Sequence, residues 1–148
     1  MYQHILVSTD GSKLSHKAVR TAARLAKAVG ARVTGLYVIP PYVPPMYGEG
    51  VIYSQVNSPQ RHRELVKRAG RKALAVVEIE AQAAGVASGG AILAAQNAWQ
   101  GIIRTAKTKK CDLIVMASHG RRGLAGLLLG SETSKVLTHS KIPVLVCR

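Results

Sequence analysis

The sequence predicts a single α/β domain, residues 1–148, with a doubly wound, mainly parallel five-stranded sheet in the order 3-2-1-4-5 and helices on both faces. Short runs rich in Val, Ile and Leu alternate with longer segments of helical periodicity, which is typical of parallel sheets with right-handed crossovers. The 148 residues suffice for one domain with a sizeable core. Apolar residues make up 47% of the chain, but aromatic residues only 4%, so the core must be aliphatic, as buried parallel strands usually are.

The first elements are a strand, a helix and a second strand. An apolar run at His4–Thr9 predicts strand one, which ends at Asp10-Gly11. Ser12 is a favourable N-cap and Gly30 a favourable C-cap for helix one. Strand two is predicted at 32–39. The apolar face of helix one comprises Leu14, Ala18, Ala22, Leu25 and Val29.

Prolines interrupt regular structure after strand two. We expect residues 39–58 to form a long loop, of the kind that is often functional or mobile. Helix two is predicted over about 60–84, and Gly85 ends it. The periodicity places Leu65, Ala69, Ala73 and Val76 on its inner face. Cations crowd its first half, at Arg61, Arg63, Lys67, Arg68, Arg71 and Lys72.

The second half of the chain continues the alternation. Strand three is predicted around 86–94, although Gly89-Gly90 is also compatible with a turn. Strand four, at Asp112–Ala117, is the clearest strand of the sequence. After a loop from Ser118 to about Leu129, helix four begins near Gly130-Ser131, and strand five covers 143–147. Helix three is marked by apolar residues at helical spacing, namely Trp99, Ile102, Ile103 and Ala106.

The charge balance favours anionic partners. The chain carries 21 Lys and Arg against 7 acidic residues, a formal net charge of +14. Nucleotides, nucleic acids and membrane surfaces are all compatible with this charge, and so is a well-solvated basic surface without a partner. The basic cluster of helix two lacks interleaved aromatic residues for base stacking. Sequence-specific nucleic-acid binding is therefore disfavoured.

Other sequence features exclude several classes of protein. Cys111 and Cys147 form no C-x-x-C pair and each adjoins an apolar run, so we expect buried thiols in a reducing compartment. The five histidines show no metal-ligand spacing. The uncharged stretch 81–103 contains a glycine pair and three amides, which argues against a membrane span. No secretory signal is evident. We expect a cytoplasmic protein without a metal or membrane partner.

The loop after strand four is the strongest candidate for a ligand site. Its glycines, including Gly120, Gly123 and Gly130, allow sharp turns and close approach of a ligand. Gly130-Ser131 begins a helix whose N–H groups and dipole attract anions. The Ser131 hydroxyl and Arg121 or Arg122 could contact a phosphate. Alternatively, Ser131 only caps its helix and the glycines only turn the chain.

Asp10 is the second candidate position. Ligands of doubly wound sheets bind beyond the carboxyl ends of strands, where the strand order reverses, and there the loops after Thr9 and Ala117 would face one crevice. The Asp10 carboxylate could accept a hydrogen bond from a ribose or an adenine, but a simple turn explains it equally well. His119 is the one candidate general base near the loop, and no nucleophile with a partnered base is evident. We expect slow ATP hydrolysis at most.

Four segments of the chain together resemble the universal stress protein family: Ile5–Ser12, Asp112–Gly120, Gly130-Ser131 and Pro143–Val146. The resemblance runs through the whole chain. Nucleotide-binding members resemble G-x2-G-x9-G-[S/T]; Gly120, Gly130 and Ser131 match, but Ala117 replaces the first glycine. Alanine serves if the ligand needs only the backbone N–H there. If a glycine-only torsion is needed, binding weakens by about 1 kcal/mol or more.

The resemblance implies a stress-response regulatory protein that binds an adenine nucleotide (ATP or AMP, with or without Mg) and acts as a homodimer. It implies that Asp10 and Val38 contact base and ribose, and that two copies pair through the apolar terminal strand at Val144, Leu145 and Val146. The alternatives are a nucleotide-free protein-interaction module of the same fold, or a basic protein that binds nucleic acid non-specifically. The expected nucleotide-binding residues are Ser8, Thr9, Asp10, Val38, Met116, Ala117, Ser118, His119, Gly120, Arg122, Gly123, Gly130, Ser131, Glu132 and Thr133.

Overall fold

The computed structural model describes residues 1–43, 58–121, 123 and 128–148. Strands and helices alternate along them in the predicted order, while most of the predicted loop 39–58 lies outside the described residues. The elements are β1 (His4–Ser8), α1 (Lys13–Val29), β2 (Arg32–Ile39), α2 (Pro59–Ala84), β3 (Ser88–Ala94), α3 (Ala98–Thr108), β4 (Leu113–Ala117), α4 (Ser131–His139) and β5 (Val144–Cys147).

The five strands form one sheet in the order β3-β2-β1-β4-β5, which confirms the predicted order. Neighbouring strands are parallel in all four pairings. In the register, Leu6 of β1 lies opposite Thr34 of β2 and Ile114 of β4. The two central strands, β1 and β4, are therefore covered by neighbours on both sides, and Ile5, Leu6 and Val7 are completely buried.

The core consists of two layers because successive side chains of a strand point to opposite faces of the sheet. On one face, α1 and α2 pack against residues that include Ile5, Val7 and Val115. On the other face, α3 and α4 pack against residues that include Leu6 and Ile114. Both faces of the sheet are thus closed by helices, and the open positions for a ligand lie at its two ends.

Helix α1 has the predicted caps. The Ser12 side chain accepts a hydrogen bond from the Ser15 N–H at 3.2 Å, and the N–H of Gly30, whose φ is 72°, donates to the Ala26 carbonyl. The predicted inner residues of α1 are all buried or packed against the core. Local patterns were sufficient here because caps and helical spacing involve only near neighbours in the sequence.

Helix α2 is rotated relative to the prediction. Its buried residues are Gly70, Ala73, Val77 and Ala81, whereas Leu65 is 57% exposed, so its predicted inward position is wrong. Ala69 and Val76 are half-buried. The inner face consists of small residues because α2 approaches β2 closely: a Cβ added at Gly70 would lie 2.9 Å from the Tyr37 ring. The residues of α2 that are buried are therefore the small ones that allow the helix to approach the sheet closely, and hydrophobicity alone does not identify them.

Strand β3 contains Gly89-Gly90 as paired residues, opposite Thr34 and Gly35 of β2. The alternative of a turn at this pair is wrong. Pairing with β2 provides backbone hydrogen bonds on one side of the strand, and the Leu74 side chain of α2 would lie 3.2 Å from a Cβ added at Gly90. The strand is therefore supported by its neighbours despite its poor intrinsic propensity.

Both cysteines are buried, as predicted. Burial, together with the Asp112 carboxylate, raises the pKa of the Cys111 thiol to about 11. Across the described ranges, no helix is long and apolar enough to cross a membrane. The same residues contain no group of three or more His, Cys, Asp or Glu side chains that could hold a metal ion.

Candidate functional site

The candidate site is a crevice at the carboxyl ends of β1 and β4, the neighbouring strands at which the sheet order reverses. Ligands of doubly wound sheets bind at this position. The described residues enclose a cavity of about 150 Å³ here. It is lined by Ser8, Asp10, Met116, Ala117, His119, Gly120, Glu132 and Thr133, all predicted, and by Ser15, Ala98 and Ile102, which sequence reasoning missed.

Asp10 joins the two loops that border the crevice. Its Oδ1 accepts the Ser12 N–H at 2.9 Å, and its Oδ2 accepts the Arg121 N–H at 2.8 Å. Burial alone would raise the pKa of Asp10, but hydrogen bonds from Ser12, from the Arg121 backbone and from Ser15 together lower it. The carboxylate is therefore ionised at neutral pH, and its remaining lone pairs can accept further hydrogen bonds.

Gly120 allows this connection between the loops. A Cβ added at Gly120 would lie 2.7 Å from the Asp10 Oδ2, so any other residue would displace the carboxylate. The glycine loop thus begins in direct contact with the loop after β1.

Thr9 and Ser15 shape the first loop from within. Thr9 is buried, and its Oγ1 lies 3.0 Å from the Ser15 Oγ and accepts the Gly11 N–H at 3.2 Å. Thr9 therefore supports the loop and does not reach the cavity. Ser15 lines the cavity from the first turn of α1, a position that its spacing from Ser12 could have indicated.

The N-terminus of α4 faces the same region. Gly130 is the N-cap, and no described side chain caps the helix, while Ser131 in its first turn is exposed. The Gly130 N–H donates to the Ser118 carbonyl at 2.7 Å. A Cβ at Gly130 would lie 3.2 Å from the His119 Cα, so the glycine also lets the two chain segments meet. The uncapped N–H groups and the helix dipole favour an anion here.

Comparison with known proteins identifies the family of this architecture. A model of the Universal stress protein family matches residues 1–148. The chain belongs to the universal stress protein family. Universal stress protein MJ0531 of Methanocaldococcus jannaschii is 35% identical over 151 residues, which cover all of this chain and 83% of that protein. Universal stress protein YxiE of Bacillus subtilis is 34% identical over 149 residues, covering both chains completely.

Solved universal stress proteins share the fold. One from Burkholderia pseudomallei is 25% identical with a TM-score of 0.76, covering 98% of this chain and 95% of that one. Another, solved in complex with cAMP, is 26% identical with a TM-score of 0.72, covering 99% of this chain and 97% of that one.

Ala117 is the departure from the glycine pattern of nucleotide-binding universal stress proteins. It is 8% exposed and belongs to the core on the α1 side of the sheet. Among the residues described, Lys110 is the one non-glycine residue with a positive φ, so Ala117 keeps an ordinary backbone torsion. The alanine therefore requires no glycine-only conformation, and its methyl group is accommodated in the core.

Glu132 and Thr133 line the cavity but use their polar atoms within the protein. The Thr133 hydroxyl donates to the Ala117 carbonyl at 3.0 Å. The Glu132 Oε2 accepts the Trp99 N–H at 2.7 Å and so caps α3, whose N-cap Asn97 makes no side-chain cap bond. Both residues fix α4 against its neighbours, which positions the helix end that faces the ligand region.

His119 is held in place by its neighbours. Its Nδ1 lies 3.2 Å from the Ser118 Oγ, and its ring occupies the space next to Gly123 that a side chain there would need. Ser118 is only 2% exposed, so its hydroxyl cannot approach a substrate. The sequence did not reveal this Ser–His contact, and the geometry suits orientation of the ring rather than nucleophilic chemistry.

The structure does not bring all predicted residues to the cavity. Val38 is half-buried near the end of β2 and packs with the core on the α3 side; it belongs to the same cluster as Ile102 and Met116 but does not itself line the cavity. Arg122 lies outside the described residues. The neighbouring Arg121 places its guanidinium over Gly11, where an added Cβ would lie 2.9 Å from Nη2.

Proposed function

We propose that this universal stress protein binds an adenine nucleotide, ATP or AMP, in the crevice between β1 and β4 and acts as a nucleotide-dependent regulator of the stress response. The observation that carries the proposal is the bond of the ionised Asp10 carboxylate to the Arg121 N–H, beside the N-terminus of α4, which no described side chain caps. Asp10 can accept hydrogen bonds from ribose hydroxyls or an adenine amine, and the helix end can bind phosphate.

Three further observations support the proposal. The similar protein solved with cAMP binds a ligand that carries an adenine, a ribose and a phosphate. The net charge of +14 raises the concentration of anions near the surface. Ala117 has an ordinary torsion and presents no backbone strain to a ligand.

The size of the crevice bears on how the nucleotide would lie. Small-molecule sites usually measure about 300–1,000 Å³. The 150 Å³ enclosed by the described residues is enough for a sugar or a phosphate group, so the rest of the nucleotide would extend along the surface. Magnesium would then be held chiefly by the phosphates of ATP, with AMP binding independently of it.

A charge placed at Ser131 tests the phosphate position. A glutamate in the first turn of a helix is favourable for folding because it complements the dipole, but it repels a bound phosphate. We expect calorimetry with AMP, and with ATP with and without Mg, to give micromolar to sub-millimolar affinity for the wild type. Ser131→Glu should weaken binding about tenfold or more, which corresponds to about 1.4 kcal/mol.

Gln60→Glu is the matched control, because it adds the same charge to the exposed first turn of α2. It should bind nucleotide as the wild type does. Equal binding by Ser131→Glu and the wild type would show that the phosphate site is misplaced. A flat titration of ligand-free wild type would favour the nucleotide-free interaction module.

We further propose that two copies pair through β5. This strand forms one edge of the sheet, and its Leu145 is 37% exposed between the half-buried Val144 and Val146. An apolar edge with unpaired backbone groups favours association around a two-fold axis. Protein partners beyond a second copy are not specified by these residues. The proposal includes a cytoplasmic location, which suits the buried thiols of Cys111 and Cys147.

The opposite edge strand supplies the control for dimerisation. Ile92 of β3 is 38% exposed, nearly the same as Leu145. Sedimentation velocity should show a wild-type dimer, a monomeric Leu145→Lys and a dimeric Ile92→Lys. A wild type that remains monomeric at all concentrations, or loss of the dimer in Ile92→Lys alone, would remove the proposed interface.

A further inference from the structure

A second cleft lies at the opposite end of the sheet, where β1, β2 and β3 begin. It measures about 560 Å³, and its walls come from these strand starts and from the C-terminal end of α3. As far as the chain is described, it shares no lining residue with the crevice at Asp10. The proposed nucleotide site therefore does not include it.

The lining of this cleft is basic and rich in polar groups. Arg32 and Lys109 provide two exposed cations, and Thr34 and Ser88 provide hydroxyls. The described lining contains no carboxylate. A cleft with cations and hydroxyls but without acidic groups is suited to an oxyanion.

His4 forms the inner wall of the cleft. It is 6% exposed, and its Nε2 lies 2.8 Å from the Oγ1 of Thr34, which is 7% exposed. The Nδ1 of His4 is buried, and the Lys109 backbone carbonyl nearby favours the protonated ring. A second feature of the cleft is thus a buried titratable ring in its inner wall.

The His4–Thr34 pair is polar, whereas the core on this side of the sheet, under α3 and α4, is apolar. Leu6, Leu36 and Ile114 on the same face are apolar and completely buried. A buried polar pair costs free energy relative to aliphatic packing unless it is satisfied. Such local departures from the folding pattern are expected where a residue serves a function.

We propose that this cleft binds a small oxyanion, a phosphate or sulfate group, through the side chains of Arg32 and Lys109, beside the buried His4–Thr34 pair. Bidentate contacts of a guanidinium and the point charge of an ammonium are the usual protein ligands of such groups. The site is independent of the nucleotide crevice and can be occupied at the same time.

The electrostatics of His4 provide a specific readout. Burial lowers the pKa of His4, the Arg32 guanidinium and the Lys109 ammonium lower it further, and the Lys109 carbonyl and the Asp112 carboxylate act in the opposite direction. An anion between Arg32 and Lys109 would offset their charges. Its binding should therefore raise the pKa of His4, and its affinity should increase as the pH falls through that pKa.

The test uses the full chain and sulfate, which keeps its charge across the pH range of interest. Amide NMR spectra are recorded during a sulfate titration at constant ionic strength, with chloride as the balancing anion, because the net charge attracts anions without specificity. We expect saturable shifts at Thr34, Ser88 and Gly89. The Arg32→Gln/Lys109→Gln double variant should bind sulfate about tenfold more weakly or worse.

The control variant is Arg20→Gln/Arg24→Gln, which removes two exposed cations of α1 away from the cleft. It should retain the wild-type affinity. Equal weakening in both double variants would show that only net charge matters, and shifts that do not saturate would overturn the site. An unchanged pKa of His4 at saturating sulfate would also contradict the proposal.

Two further measurements separate this cleft from the nucleotide crevice and identify the source of the bound group. Ser131→Glu should leave the sulfate shifts in the cleft unchanged, whereas a loss there would assign them to the nucleotide crevice and overturn the second site. Replacing sulfate by glycerol phosphate distinguishes the source: tighter binding supports a phosphorylated small molecule, and equal binding supports the free anion. Failure of nucleotide binding would not affect either result.

Discussion

At each end of the sheet, the side chain of one aspartate links two segments of the chain through hydrogen bonds. At the carboxyl end, Asp10 accepts backbone N–H groups of Ser12 and Arg121. At the amino end, Asp112 accepts the N–H groups of Gln3 and His4 at 2.8 and 3.0 Å. The hydrogen-bond pattern is the same, and in both cases burial raises the pKa of the carboxyl group less than the hydrogen bonds lower it.

The surroundings of the two aspartates differ. Asp10 joins two loops and lines a crevice next to the N-terminal end of α4. Asp112 joins the start of β1 to the start of β4 and lies outside the lining of the amino-end cleft. The same carboxylate motif can therefore serve a ligand site or only strand alignment. What distinguishes the two is that the Asp10 carboxylate itself lines its crevice, whereas Asp112 lies outside the lining of the amino-end cleft.

Asp10→Ala should have the largest effect of the variants that test this comparison. It removes two charge-assisted hydrogen bonds and releases the start of the glycine loop from the loop after β1, so we expect a loss of about 2 kcal/mol in stability. Nucleotide affinity should fall as well, by about tenfold or more. Urea unfolding and calorimetry measure the two effects. Wild-type stability in this variant would show that the Asp10–Arg121 contact does not hold the loop.

Asp112→Ala should have a smaller effect. Its hydrogen bond to Gln3 is exposed and its hydrogen bond to His4 is partly buried, so water can replace them in part and we expect a loss of about 1 kcal/mol in urea unfolding. Nucleotide affinity should be unchanged because the residue lies at the other end of the sheet. A marked loss of nucleotide binding in Asp112→Ala would contradict the assignment of the two ends to different roles.

The smallest expected effect concerns the pH dependence of stability. The lowered pKa values of Asp10 and Asp112 stabilise the fold above about pH 4, and this contribution is lost as the pH falls through their values in the folded protein. The lowered pKa of His4 acts in a higher window: stability falls as the pH drops below about 6.5, because the unfolded chain binds the proton more readily.

Urea unfolding midpoints measured as a function of pH across both ranges test the contributions of the aspartates and of His4. His4→Gln should flatten the upper part of the profile, and Asp10→Asn/Asp112→Asn the lower part. An upper part that is equally steep in His4→Gln would show that another group causes the dependence.

The candidate site was predictable where its signals are local. Glycine spacing and a helix start at Gly130-Ser131 pointed to the loop, and the alternation of strands and helices placed that loop beside Asp10. The roles of Glu132 and Thr133 were not predictable, because their partners Trp99 and Ala117 are 33 and 16 residues away in the sequence. Nor could spacing reveal that Val38 packs toward α3 instead of lining the cavity.

The sequence by itself determined the order of elements, the caps of α1 and the parallel sheet, because these depend on hydrophobic periodicity and on contacts within a few residues. Tertiary structure alone decided which face of α2 is buried, how Asp10 meets a loop 111 residues away, and that His4 and Thr34 form a buried pair across 30 residues. These features arise from close packing and from hydrogen bonds between distant segments, and a one-dimensional pattern does not specify which distant groups will meet.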